Sequence, residues 1–176
     1  MRSLDLDVHV VPSSYNEPDR SDLTPRELAI EHARNKCEDV AARFPQEIVV
    51  AADTVVDLDG VAYNKPRNAA DAQRMLADLS GRTHVVHTAF EIRASGRTGA
   101  ECESTRVTFF SLEPDEIAAY VATGEPLDKA GAYGIQGYGA TLVERIEGDF
   151  YTVMGFPLGR FVRTLRRLGF SVPITK

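Results

Sequence analysis

Apolar residues recur along this chain with two periods, and the places where the period changes mark its elements. Val8 to Val11 is a short apolar run closed by Pro12 and predicts a strand; the polar stretch Ser13 to Asp22 predicts a loop. Thr24-Pro25-Arg26-Glu27 predicts a helix start. Threonine suits the N-cap, proline suits the first position, where its missing N–H is no loss, and glutamate three residues after the cap reaches back to it. Ala29, Ala33, Cys37, Val40, Ala41 and Phe44 then repeat at helical spacing and carry the helix to about Phe44. Ile48 to Ala52 is a continuous apolar run, read as a strand buried on both faces. Thr54 to Leu58 and Val61 to Tyr63 flank Asp59-Gly60, a pair suited to a tight hairpin.

Further along, Asn68 caps a helix to Leu79 with Ala72, Met75, Leu76 and Leu79 inward, and Gly81 ends it. Strands are predicted near Val85 to Ile92 and Glu103 to Phe110. Pro114 opens a short helix ended by Gly124. A glycine-rich stretch, Gly131 to Gly139, leads to a strand at Thr141 to Ile146. The last helix, about Pro157 to Leu168, buries Leu158, Phe161, Val162 and Leu165. Strands and helices alternate loosely with hairpins between them, so the prediction is a mixed α/β fold and not a strict βαβ repeat.

No repeat, low-complexity tract or linker divides the 176 residues, and 43% of them are hydrophobic, enough for the core of one domain spanning 1–176. The formal net charge of -6 argues against broad binding to a nucleic-acid backbone. It leaves room for a nucleotide as a small ligand, because local lysines and a metal ion can hold phosphates. Cys37 and Cys102 stand far apart in no Cys-x-x-Cys pair, which fits a reduced cytoplasm. No apolar run approaches the roughly 20 residues that span a membrane. Met1 to Val10 alternates charged and apolar residues and does not resemble a signal peptide.

Several residues could carry chemistry. Asp53 ends the apolar run, where open α/β sheets place their sites; the plainer alternative is an aspartate that starts the hairpin. Lys36 falls between Ala33 and Val40 on the apolar face of the first helix. Either its stem is buried and its ammonium snorkels to water, or it turns into a cleft to meet an anion. Pro66 biases Lys65 to an extended backbone, and Glu17 precedes Pro18 in a polar loop; both also read as ordinary solvated loop residues. The glycines from Gly131 to Gly139 allow close approach of backbone to a ligand, and Gln136 among them offers a donor and an acceptor to a base edge. The stretch is neither a dinucleotide-binding fingerprint nor a Walker loop. His84 and His87 lie three apart on a strand and so face opposite sides, which argues against a shared metal.

Together, Ala51-Ala52-Asp53-Thr54-Val55-Val56, Asn64-Lys65-Pro66, Leu79 to His84, and the long stretch YVATGEPLDKAGAYGIQG from Tyr120 to Gly137 resemble the Maf family, the septum-formation-inhibitor-like nucleotide pyrophosphatases. Gly148-Asp149 and Gly155-Phe156-Pro157 match as well, so the resemblance runs nearly the whole length. It implies a two-lobed, mixed-sheet α/β fold with helices around a central cleft, related to the inosine triphosphatase fold. It also implies hydrolysis of nucleoside triphosphates to the monophosphate and pyrophosphate. Asp53 matches the family's catalytic base, and Glu17, Lys36 and Lys65 match its other essential charged, substrate-binding positions. Thr54 and Gln136 match positions linked to base choice and resemble the subfamily acting on dTTP and UTP. The family usually needs a divalent cation, Mg2+ or Mn2+, for which Asp53 and Glu17 are the expected ligands, and its members are often homodimers.

Two departures bear on those expectations. The family begins with a strand and a Ser-x-Arg-Arg loop that grips the phosphates, whereas Met1 aligns after that loop and Arg2 falls too late to replace it. Thr152 stands where relatives often have asparagine. The missing loop leaves an alternative expectation, a nucleotide-binding regulatory protein with impaired turnover linked to septum formation and cell-division arrest. The retained Asp53, Lys36, Lys65 and Glu17 favour the enzyme.

Overall fold

Thr24 does in three dimensions what its sequence context predicts. In the computed structural model, which describes residues 6–18 and 20–172, its side chain accepts from the Glu27 amide, and Glu27 in turn accepts from the Thr24 amide at 2.8 Å. Helix α1 (Pro25–Arg43) follows. Met1 to Asp5, including Arg2, lie outside the described residues, as do Asp19 and 173–176. The stripe of α1 is buried at Leu28, Ala29, Ala33 and Cys37, where the sheet lies beneath it. It opens at the C-terminal end, where Val40 and an exposed Phe44 line a groove beside the first strand. The predicted strand at Val8 to Val11 does not form. No described strand offers it a ladder, and Val10 is 84% exposed.

The sheet order is β2-β1-β3-β4-β5, with β1 at Val49–Leu58, β2 at Val61–Tyr63, β3 at Thr83–Ala94, β4 at Arg97–Phe109 and β5 at Val143–Glu147. Every described pairing is antiparallel. The mixed α/β class holds, but the apolar run in β1 does not mark a strand buried on both faces. Val49 to Val55 pair with β3 on one side, and β2 joins the other side only from Val56 to Leu58. Val50 to Thr54 are accordingly only half-buried. The strand also runs unbroken through Asp53, so that residue sits in mid-strand and not at its end. Asp59 and Gly60 close the β1–β2 hairpin with φ of 54° and 83°, the left-handed pair that a two-residue turn requires.

Helices cover both faces. Val55 and Ala89 face α1. On the other side, Val56, Val86, Val107 and Phe109 pack with α2 (Ala69–Leu79) and α3 (Pro114–Ala122), while Phe90 and Ile92 pack with α5 (Leu158–Arg167). A one-turn helix, α4 (Phe150–Val153), has no apolar period and was not legible in the pattern; Asp149 caps it through the Thr152 amide. The strand predicted from Thr141 begins at Val143, because Gly137–Leu142 coil as a 3-10 helix. His84 and His87 face opposite sides as the strand period demands. His84 stands edge-on to Phe109 and Tyr133, and burial pushes its pKa down to about 4, so it is neutral. His87 meets Ser104 and Asp57 on the α1 face. No helix among the described residues is long and apolar enough to cross a membrane.

Leu76, fully buried between α2, α3 and the sheet, is a test of this packing. Leu76→Ala is expected to lower unfolding stability by about 2–5 kcal/mol, read from urea melts, since a void is left where the sheet cannot collapse. A loss below about 1 kcal/mol would mean that the site is not the closed core described.

Candidate active site

Among the described residues, the stretch of β1 around Asp53 pairs with β3 alone. Adjacent side chains on a strand point to opposite faces, and at an edge both faces are open to one cleft. Asp53 points to the α1 side and Thr54 to the other, and both line a cleft of about 730 Å³. Helix α1 brings Lys36 and His32 to the same space. The loop before α1 brings Glu17. That loop is tied down by Asp39, which accepts from Ser13 Oγ at 2.9 Å, Ser14 Oγ at 2.6 Å and the Ser14 amide at 2.8 Å. Bonds from Ser14 hold the Asp39 carboxyl well below the usual range. Tyr15 adds a hydroxyl contact to His32 Nδ1 at 3.2 Å.

Lys36 Nζ lies 2.6 Å from Asp53 Oδ1 and 2.7 Å from Glu17 Oε1. Of the two readings open for this lysine, the structure shows the one turned into the cleft. Burial pushes the Asp53 carboxyl above the ordinary aspartate range, against the pull of the Lys36 ammonium. For Glu17, burial works upward, but the hydrogen bond and charge of Lys36 outweigh it and the net shift is down. Lys36 itself is held above the ordinary lysine value, because its two carboxylates outweigh its own burial.

The far wall is the glycine-rich stretch. The Gly131 amide donates to Asn64 O at 3.2 Å, and Gly131 takes a φ of 67° with Val56 so close that a Cβ there would meet its Cγ2 at 2.9 Å. This bond fixes the wall against the end of β2 and sets Lys65 at the mouth, within electrostatic reach of Glu17 and Asp128. No acid among the described residues pairs with Lys65. Gln136 lines the same cleft, and nothing among the described residues hydrogen-bonds its side chain. Thus Asp53, Glu17, Lys36, Lys65, Thr54 and Gln136, spread over 120 positions of sequence, all line one cleft.

Sequence reasoning missed the residue that shapes this wall. Glu125 accepts from the amides of Tyr138 and Gly139 at 3.0 Å each and from the Tyr120 hydroxyl at 2.9 Å. It clamps the Gly134–Gly139 segment that carries Gln136. Its only signal was an acid next to Pro126 after a helix end, which also reads as a turn residue. His32, four residues before Lys36 on the same helix face, was passed over for a similar reason. Glu125→Ala is expected to speed amide exchange at Tyr138 and Gly139 at least about tenfold, as a lost hydrogen bond of about 1.4 kcal/mol would. The amides of β3 should not change; a uniform acceleration would instead indicate global destabilisation.

The fold and the site can be set beside known proteins. A profile of the family described as Maf-like protein matches residues 1–168. A dTTP/UTP pyrophosphatase of Thermococcus gammatolerans is 48% identical over 166 residues, which is 94% of this chain and 88% of that protein. The dTTP/UTP pyrophosphatase of Methanosarcina mazei is 46% identical over 165 residues, 93% of this chain and 84% of its own length. That of Fusobacterium nucleatum is 44% identical over 168 residues, 94% and 86%.

Proposed function

The chain belongs to the Maf-like protein family, and on that premise we propose that it is a nucleoside triphosphate pyrophosphatase acting on dTTP and UTP, yielding the monophosphate and pyrophosphate. The observation that carries the reading is Asp53, a carboxylate of raised pKa held by an ammonium on the floor of a cleft that also presents Lys65 and Gln136.

The chemistry follows from the atoms in place. Water attacks the α-phosphorus, Asp53 takes its proton, the bond from that phosphorus to the bridging oxygen breaks, and the electron pair leaves with pyrophosphate. Asp53 suits the base role because a pKa above the usual aspartate value makes its carboxylate a better proton acceptor. Of the three protons on Lys36, two are bonded to Asp53 and Glu17, and the third can meet a phosphate oxygen. Lys65 supplies a second point charge for the phosphate tail. Gln136 and Thr54 face the base.

The donor set fits a divalent cation. Asp53 and Glu17 each bind Lys36 through one oxygen and retain a second. Two carboxylates completed by substrate phosphates and water are the usual setting for Mg2+, and no cluster of three or more metal-binding side chains occurs among the described residues. Bound there, Mg2+ or Mn2+ would neutralise charge developing on the phosphates. The reading extends to a homodimer, as the resemblance implies, in a reduced cytoplasm, which the unpaired Cys37 and Cys102 fit.

Three expectations test this. Asp53→Asn keeps the shape and removes the base, and kcat is expected to fall at least about a hundredfold with the melting temperature little changed; near wild-type turnover at saturating metal would refute the assignment. The acid limb of kcat/KM should lie above the ordinary aspartate value of about 3.9, because Asp53 must be ionised and its pKa is raised. Lys36→Met should move that limb higher still, since the ammonium pulls the pKa down. Across a nucleotide panel, dTTP and UTP are expected to exceed ATP and GTP in kcat/KM. A purine as best substrate would overturn the roles of Thr54 and Gln136.

A further inference from the structure

Thr54 does not meet the cleft alone. Its Oγ1 lies 2.9 Å from Oγ1 of Thr88, its neighbour on β3, and Thr88 Oγ1 lies 2.7 Å from the carbonyl of Thr152. Thr88 and Thr152 are fully buried. A carbonyl only accepts, so the single proton of Thr88 goes to Thr152 O. The bond between the two hydroxyls then has one possible direction: Thr54 donates and Thr88 accepts. With its proton engaged on the sheet, Thr54 offers the cleft lone pairs alone.

The carbonyl that starts the chain is itself held. Asp149 caps the Thr152 amide at 2.8 Å and accepts from its hydroxyl at 2.9 Å. Thr105 on β4 brackets Asp149, accepting from its amide at 2.9 Å and donating to its carbonyl at 3.0 Å. The polarity of one cleft hydroxyl is thus set by a hydrogen-bond relay that begins two strands away.

We propose that Thr88 is a positioning residue that fixes Thr54 as a pure acceptor, so that Thr54 selects the N3–H of uracil and thymine over the bare N3 of cytosine. The proposal rests on the dTTP and UTP reading given above and deepens it. Gln136 cannot make this choice by itself. Nothing among the described residues fixes its amide, and an amide turned over serves the cytosine edge as well as the imide edge. A locked hydroxyl has no such freedom. Facing cytosine it sets lone pair against lone pair, and a buried polar site rejects the mismatched partner more strongly than an apolar one does.

The test compares kcat/KM for UTP and CTP in wild type, Thr88→Val and Thr88→Ser. Wild type is expected to prefer UTP. Thr88→Val, which keeps the shape and frees the Thr54 proton, should narrow the UTP:CTP ratio at least about tenfold, the effect of one neutral hydrogen bond. Thr88→Ser keeps the hydroxyl and should keep the ratio. If Thr88→Val loses activity or melting temperature while the ratio stays at its wild-type value, Thr88 is merely structural and the proposal fails. A wild type that turns over neither UTP nor dTTP overturns the reading of function, and the selection with it, whereas an unchanged ratio in Thr88→Val overturns only the role of Thr88. Neutron diffraction on the deuterated wild-type protein gives an answer even if the valine variant does not fold. A Thr54 deuteron on the line to Thr88 supports the relay, and one aimed into the cleft refutes it.

Discussion

One ammonium group holds the cleft together. Lys36 Nζ bridges Asp53 on the sheet and Glu17 in the loop before α1, and so joins three separate segments of chain through two short ion pairs. Two carboxylates brought this close would repel, and burial already disfavours the charge on Asp53. The lysine makes their proximity tolerable. Removing it would leave uncompensated buried charge, which costs several times what an exposed pair contributes. The apolar face of α1 is bound up with this. Ala29, Ala33 and Cys37 bury the helix against β1 and β3, and that seating delivers the Lys36 head to the edge of the sheet.

The edge of β1 divides the work between two faces. On the α1 side stand Asp53, Lys36 and Glu17, the charged groups suited to phosphate and water. On the opposite side stands Thr54, backed by neutral hydroxyls and a carbonyl, suited to a base. On the function proposed above, consecutive residues would address opposite ends of one ligand. The glycine-rich wall completes the enclosure, and Gly139 shows how tightly it is built: a Cβ there would stand 2.3 Å from Gly134 O.

Local signals in the sequence were read well and long-range ones were not. The capping box at Thr24, the Asn68 cap and the Asp59-Gly60 turn each depend on neighbours within four residues, and each formed as expected. Val8 to Val11 failed as a strand because a strand needs a partner, and pairing is not written in the segment itself. The continuous apolar run of β1 pointed to a strand buried on both faces, yet its residues from Val50 to Thr54 are only half-buried, since period alone does not report pairing. Lys36 was ambiguous for a related reason. Its spacing put it on the apolar face, but its direction depends on Asp53, 17 residues away. Asp53, Thr54 and Gln136 could be singled out through the motifs in which they stand. Glu125, His32 and Thr88 act by holding other groups, and nothing in their neighbourhoods of sequence reveals what they hold.

The same cluster sets stability against activity, with opposite signs at its two carboxylates. Glu17 has a lowered pKa, so it contributes stability above its unfolded value and loses that contribution as pH falls through its folded one. Asp53 has a raised pKa. Its contribution is fully present below the unfolded value and is lost as pH rises through the folded one, so the ionised form that a base requires is the form that the fold disfavours. Lys36 beside it limits the cost of that charge. An isosteric amide at position 53 would relieve that burden but also remove the carboxylate partner of Lys36, so the two effects on stability oppose each other. Strain of this kind, confined to one ionised side chain and offset by one neighbour, is what a proton-accepting site on a buried strand edge demands.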